Sequence, residues 1–173
     1  MKLLIIVCAM LFSSLAFACQ CAYDPMSDSS VKAARNIFVF RLISAEIANK
    51  ASADGTDSTV LATIQVVDVV HGKALYKKVS FSNHWCCGSR IDVGHFYAAF
   101  TSTDGVSFSG NSGNLLHLGN MYYPESGFRK NVSLVLSGKS NIKNAFSNYN
   151  TDRLEQVPPP PPPPSSRARK VRS

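Results

Sequence analysis

After its first eighteen residues the chain has no long apolar run, and nothing later supplies the roughly 20 apolar residues that a bilayer-spanning helix needs. It also lacks a glycine-rich nucleotide loop, paired catalytic carboxylates and a nucleophile motif, so neither an enzyme nor a bound cofactor is expected. Basic charge spread over a folded face is missing too. Of the 18 basic residues, Lys2 lies in the first segment and Arg167, Arg169, Lys170 and Arg172 lie at the extreme end, leaving 13 against 11 acidic residues between them. A nucleic-acid binder would present a basic face with interleaved aromatics, and a near-neutral middle excludes that class of partner. The formal charge of +7 belongs mainly to the tail.

What is present begins with a leader. Lys2 precedes the apolar run Leu3 to Phe12, and Ala16-Phe17-Ala18 places small residues at the two positions a signal peptidase inspects. Residues 1–18 therefore read as a signal peptide cut between Ala18 and Cys19, and the protein as secreted or periplasmic. A lipid anchor on Cys19 is the weaker reading, because Ala16 and Phe17 do not form the usual lipoprotein approach to that cysteine. Residues 19–150 form one domain of sufficient size for a single core, and residues 151–173 form a proline-rich linker with a basic end.

Cys8 departs with the leader, leaving Cys19, Cys21, Cys86 and Cys87. An even number of cysteines in an exported chain implies disulfides, and four allow three connectivities. Pairing neighbours would close very small strained rings, so two long-range bridges from the N-terminus to the middle of the chain are expected. Each closes a loop of about 65 to 69 residues, which chain entropy values at about 4 kcal/mol for the first bridge.

Asp24-Pro25 and Ser27 to Ser30 read as a turn and N-cap for a short helix over Val31 to Arg35. Asn36 to Ala48 reads as a long, curved strand partly buried on both faces. Lys50 to Ser58 is a hairpin loop and Thr59 to Val70 the clearest strand, followed by a turn at His71-Gly72-Lys73. Further strands are expected at Lys77 to Ser82 and Phe96 to Thr101, with a fifth at either Val106 to Phe108 or Leu115 to Leu118. This pattern points to a mainly β fold, a small closed barrel with one or two flanking helices. Beyond Pro124 the periodicity weakens, and a terminal helix over Lys139 to Leu154 would pack Ile142, Phe146 and Tyr149. Pro158 to Pro164 must adopt polyproline II and acts as a spacer of ~20 Å. It holds Ser165 to Ser173 away from the domain, where the basic end is either free or in contact with an anionic envelope surface. Asn131-Val132-Ser133 matches a glycosylation acceptor, a triplet too common to decide anything.

Three features carry a resemblance: the Cys-x-Cys start after cleavage, the strand Ile37 to Ala45, and Cys87-Gly88 followed by Val93-Gly94-His95-Phe96-Tyr97-Ala98-Ala99-Phe100. Over about residues 19–125 the chain resembles the netrin-like module, and in particular the N-terminal domain of the tissue inhibitors of metalloproteinases. Gly113-Asn114-Leu115-Leu116-His117 is similar to the family's strand after the fourth hairpin. The resemblance implies a five-stranded OB-fold barrel with one or two flanking helices, acting as a monomer.

It also implies a mechanism in which Cys19 binds the catalytic zinc of a target protease through its free α-amine and its carbonyl oxygen. Catalytic zinc keeps one position open for water, which a bidentate backbone ligand can replace, and an α-amine with a pKa near 7.7–8.0 deprotonates at little cost. Gln20 would enter the specificity pocket, Cys21 would anchor the wedge, and Ala22 and Tyr23 would complete the protease-binding edge. The family usually carries a small residue where this chain has Gln20. The implied bridges are Cys19–Cys87 and Cys21–Cys86, the latter replacing a family cysteine beyond the fifth strand, where this chain has Asn120. The family's third bridge and its C-terminal disulfide domain have no counterpart.

A non-inhibitory envelope interaction module of the same fold is the main alternative. Cys-x-Cys with His84-Trp85-Cys86-Cys87 would also suit Cu(I) or zinc as a soft-metal site, which an oxidising compartment disfavours. A cysteine nucleophile with His95 as its base is weaker still. His71, His84, His95 and His117 have no close metal-ligand spacing and are expected at strand ends or on the surface. Trp85 is expected to cover the disulfides, and Tyr122-Tyr123-Pro124 to pack against the core or a loop in preference to forming a recognition edge.

Overall fold

The computed structural model describes residues 26–49, 57–84, 91–125 and 127–149. The protein is mainly β: among the described residues, a six-stranded mixed sheet in the order β5-β3-β2-β1-β4-β6, with three short helices. The strands are β1 (Asn36–Asn49), β2 (Asp57–His71), β3 (Lys78–His84), β4 (Phe96–Thr101), β5 (Ser107–Ser109) and β6 (Leu115–Gly119). The helices are α1 (Asp28–Ala33), α2 (Phe128–Leu136) and α3 (Ile142–Ala145). No helix among the described residues is long and apolar enough to cross a membrane.

Strand β1 is central and pairs antiparallel with both β2 and β4. Its side chains alternate between two cores, as a period-2 strand requires. Phe38, Phe40 and Leu42 join Ala62, Ile64, Tyr76, Val79, Phe81, Tyr97, Ala99, Phe108 and Leu115 in an inner core. Ile37 and Val39 face the other way, into an outer core with Ala98, Phe100, Leu116 and the helix residues Val31, Phe128, Val132 and Val135. The expected burial on both faces thus holds from Ile37 to Leu42, whereas Ile43 to Ala48 is exposed.

Strand β2 changes which face is buried part-way along. Val39 pairs with Asp68 but Phe40 with Val66, which leaves Val67 as an extra residue in the ladder. Such a bulge reverses the alternation beyond it. Val60, Ala62, Ile64 and Val66 accordingly contribute to the inner core, while Val70 packs on the outer one. Asp68 is buried on the outer side. It accepts hydrogen bonds from the Tyr122 hydroxyl at 2.6 Å and Arg129 Nε at 3.1 Å, and is ion-paired with Arg129 Nη2, which also donates to the Val69 carbonyl at 3.1 Å. This cluster ties α2 to the sheet.

Both segments proposed for the fifth strand are strands. β5 adds parallel to β3 and β6 adds antiparallel to β4, so they form opposite edges of the sheet. The ladder between them is absent among the described residues, and the sheet is six-stranded and not closed, in place of the five-stranded closed barrel expected. The physical reason is the polar, glycine-containing link from Gly110 to Asn114, which interrupts what would otherwise be one strand. The link still touches both sides: the Gly110 N–H donates to the Ser80 carbonyl at 2.8 Å, and the Phe100 N–H donates to the Asn114 carbonyl at 2.9 Å. Gly110 is crowded there. A Cβ on it would lie 2.7 Å from Leu115 Cδ1, 2.8 Å from Phe81 Cε1 and 2.9 Å from Val79 Cγ2.

Helix α1 begins three residues before the expected Val31, because Ser27 is its N-cap and its hydroxyl accepts from the Ser30 N–H at 3.1 Å. The single terminal helix over Lys139 to Leu154 is replaced by α2, whose signal lay before Lys139, and by the four-residue α3. Asn141 caps α3 by accepting from the Asn144 N–H at 2.8 Å, and Asp28 accepts from the Ile142 N–H at 2.8 Å, joining the two ends of the domain. The packing expected of Ile142, Phe146 and Tyr149 is present: all three lie in or against the outer core.

Two outcomes follow. Gly110→Ala overpacks the junction of the two edges and should lower stability by about 1–3 kcal/mol in urea unfolding. Tyr122 has its pKa raised, by burial first and then by its bond to Asp68. Its contribution is therefore complete below the ordinary tyrosine value of about 10 and declines as pH rises beyond it. The urea midpoint of the native protein should fall above about pH 10 more steeply than that of Tyr122→Phe, which at neutral pH should be about 1 kcal/mol less stable.

Candidate functional site

Cys19, Gln20, Cys21, Ala22 and Tyr23, together with Trp85, Cys86, Cys87 and both expected bridges, lie outside the described residues. Residues 151–173 lie outside them as well. Of the four histidines, His71 is exposed at the end of β2 and His84 ends β3.

His95 and His117 come together although the sequence shows no close metal-ligand spacing between them, and His117 is buried in place of the strand-end or surface position expected. His95 Nδ1 lies 2.9 Å from His117 Nε2. Asp92 Oδ2 lies 3.8 Å from the first nitrogen and 4.0 Å from the second. Among the described residues, this is the group of three metal-ligating side chains whose donor atoms all fall within 4.8 Å of one another.

Local structure explains the cluster. Asp92 and His95 are the first and last residues of a turn closed by the His95 N–H donating to the Asp92 carbonyl at 3.2 Å. Gly94 occupies its third position at φ +90°, a left-handed conformation that favours glycine. The turn is fixed to β1 by Gly94 N–H to Leu42 carbonyl at 2.7 Å and Leu42 N–H to His95 carbonyl at 2.9 Å. Arg41 Nε donates to the Gly94 carbonyl at 3.0 Å, and its guanidinium lies 5.8 Å from the Phe96 ring centroid.

His117 arrives on β6, where it pairs with Tyr97 of β4. A register shift between Phe96 and Tyr97 sets this pairing. Leu115, two residues earlier on the same face, belongs to the inner core, so His117 sits where that core meets the surface. Its side chain is 5% exposed, against 30% for both Asp92 and His95. The Tyr97 ring is buried between Phe40 at 5.6 Å and His117 at 5.1 Å, and its hydroxyl accepts from the Asp92 N–H at 2.8 Å. One aromatic side chain therefore supports two of the three cluster residues.

The His95 and His117 ring centroids are 5.2 Å apart, with ring planes 22° from parallel. A facing N···N distance of 2.9 Å plus about one ring radius on each side accounts for nearly all of that separation, so the nitrogens meet head-on. One imidazole donates and the other accepts, as a neutral pair can.

Sequence spacing missed the cluster because its members are joined by strand pairing across the β5 excursion. The only local sign was the alternation His95, Tyr97 and Leu115, His117 on segments expected to be strands. Tyr122 packs on the outer core as expected, while Tyr123 and Met121 are 62% and 64% exposed.

Gly94→Ala places a Cβ within reach only of Arg41 Nη2, at 3.9 Å. The change should therefore cost about 1–2 kcal/mol through the backbone alone, and should shift the NMR signals of His95 and His117 together. Compared with protein-family models and with curated protein sequences, the chain matches none.

Proposed function

We propose that the chain is an exported, non-enzymatic binding protein of netrin-like type, acting as a metalloproteinase inhibitor through its processed N-terminus. Cleavage after Ala18 frees the Cys19 amine, which with the Cys19 carbonyl chelates the catalytic zinc of a target protease. Gln20 fills the specificity pocket, and Cys21, Ala22 and Tyr23 continue the contact. Bridges Cys19–Cys87 and Cys21–Cys86 hold this end against the barrel and reduce the ordering cost of binding. The protein works as a monomer, and the basic end beyond Pro164 touches an anionic envelope surface.

The observation that carries this reading is the Cys19-Gln20-Cys21 start placed before a sheet of suitable order. With β5 and β6 taken as two halves of one strand, β3 flanks the first half and β4 the second. The sheet then becomes a five-stranded, partly open barrel of OB type. The helices α1, α2 and α3 on the outer face are its flanking helices. The long Gln20 in the pocket position favours a target with a deep polar pocket.

The test is an inhibition assay against zinc metalloproteases with the native mature protein and a form extended by one N-terminal alanine. The native form should inhibit, and the extension should weaken inhibition at least ~100-fold, about 2.8 kcal/mol. Equal inhibition by both forms contradicts chelation. Absence of inhibition by either form favours the non-inhibitory envelope module, and a native protein with no free thiols removes the soft-metal reading.

A further inference from the structure

We propose that Asp92, His95 and His117 form a binding site for a first-row divalent cation of zinc type, set into the rim of the inner core. The site is separate from the N-terminal chelating group and does not rest on the inhibitor reading. In that reading Cys19 would bind a metal belonging to another protein, whereas here the chain holds its own.

The donor set is the first argument. Two imidazole nitrogens and one carboxylate oxygen suit zinc, cobalt, nickel or copper, whereas calcium takes six to eight oxygen ligands. Distance is the second. A triangle with sides of 2.9, 3.8 and 4.0 Å has its centre about 2.1 Å from each corner, within the range of zinc–nitrogen and zinc–oxygen bonds. Small adjustments complete the site: ligands around a tetrahedral ion at that bond length are about 3.4 Å apart, so the nitrogens separate slightly and the carboxylate moves in.

Support around the site is the third argument. His117 is fixed by β-pairing and by the Tyr97 ring, and Asp92 is fixed through its N–H by the Tyr97 hydroxyl. A ligand set whose backbone is already held loses little freedom on binding. The half-open side at Asp92 and His95 leaves room for a water or an exogenous group as the fourth ligand. Without the ion, the two rings share a proton head-on. Binding requires both rings to turn so that their lone pairs converge, and the shared proton moves to the other nitrogen of the donor ring. No net change in protonation is needed when both rings are neutral.

The test uses the full mature chain with any free thiols alkylated, titrated with Zn²⁺ by calorimetry and with Co²⁺ by visible absorption. One equivalent of Zn²⁺ should bind with Kd at or below about 10 μM, and Co²⁺ should develop visible d–d bands. His95→Gln and Asp92→Asn change half-exposed residues and should fold normally; each should weaken Zn²⁺ binding at least about tenfold. In the native protein, Zn²⁺ should move the imidazole NMR signals of His95 and His117 and leave His71 and His84 in place. Failure to bind at 100-fold above that concentration overturns the site. So does native-like affinity in the His95→Gln/Asp92→Asn double variant, or a response centred on His71 or His84.

Discussion

The structure depends on a single constraint: the first half of β1, Ile37 to Leu42, must bury both of its faces. Phe38, Phe40 and Leu42 on one side and Ile37 and Val39 on the other are all completely buried. Each large apolar side chain taken out of water contributes about 1.5–3 kcal/mol, so neither face can be left to solvent. The inner face is covered by side chains from β2, β3, β4, β5 and β6. The outer face is covered by α1, α2 and α3. The bulge at Val67 follows from the same need, since β2 must serve the inner core along most of its length and the outer core near its end.

Much of this was legible in the sequence, and the exceptions have physical causes. The strand Phe96–Thr101 was expected with the bounds it has, and β1, β2 and β3 to within about two residues, because their apolar patterns are strong. The choice between the segments at 106–108 and 115–118 was a false one. Each is too short to register as a strand by itself, and each is stabilised by a different neighbour, β3 or β4. Helix α2 carries its buried residues Phe128, Val132 and Val135 at helical spacing, but it is only nine residues long and no side chain caps its start, which left its signal short. The His95–His117 contact left only the alternation around each histidine as a sign in the sequence, since the contact itself depends on which strands pair.

The second cysteine pair and the imidazole cluster are close in sequence. The Asp92 turn begins five residues after Cys87, a span of at most about 18 Å even if fully extended. At the other end, Met26 packs in the outer core five residues after Cys21. The turn at Gly94, which carries Asp92 and His95, is itself held to β1 through Leu42.

The central claim is that the mature protein starts at Cys19 with an open amine and is bridged to the middle of the chain. N-terminal sequencing combined with intact mass and disulfide mapping of the exported protein tests it most directly. The expected result is an unmodified chain starting at Cys19, fully oxidised, with Cys19–Cys87 and Cys21–Cys86 linked. A lipidated or blocked Cys19, a different start, or free thiols at these four cysteines would contradict the account.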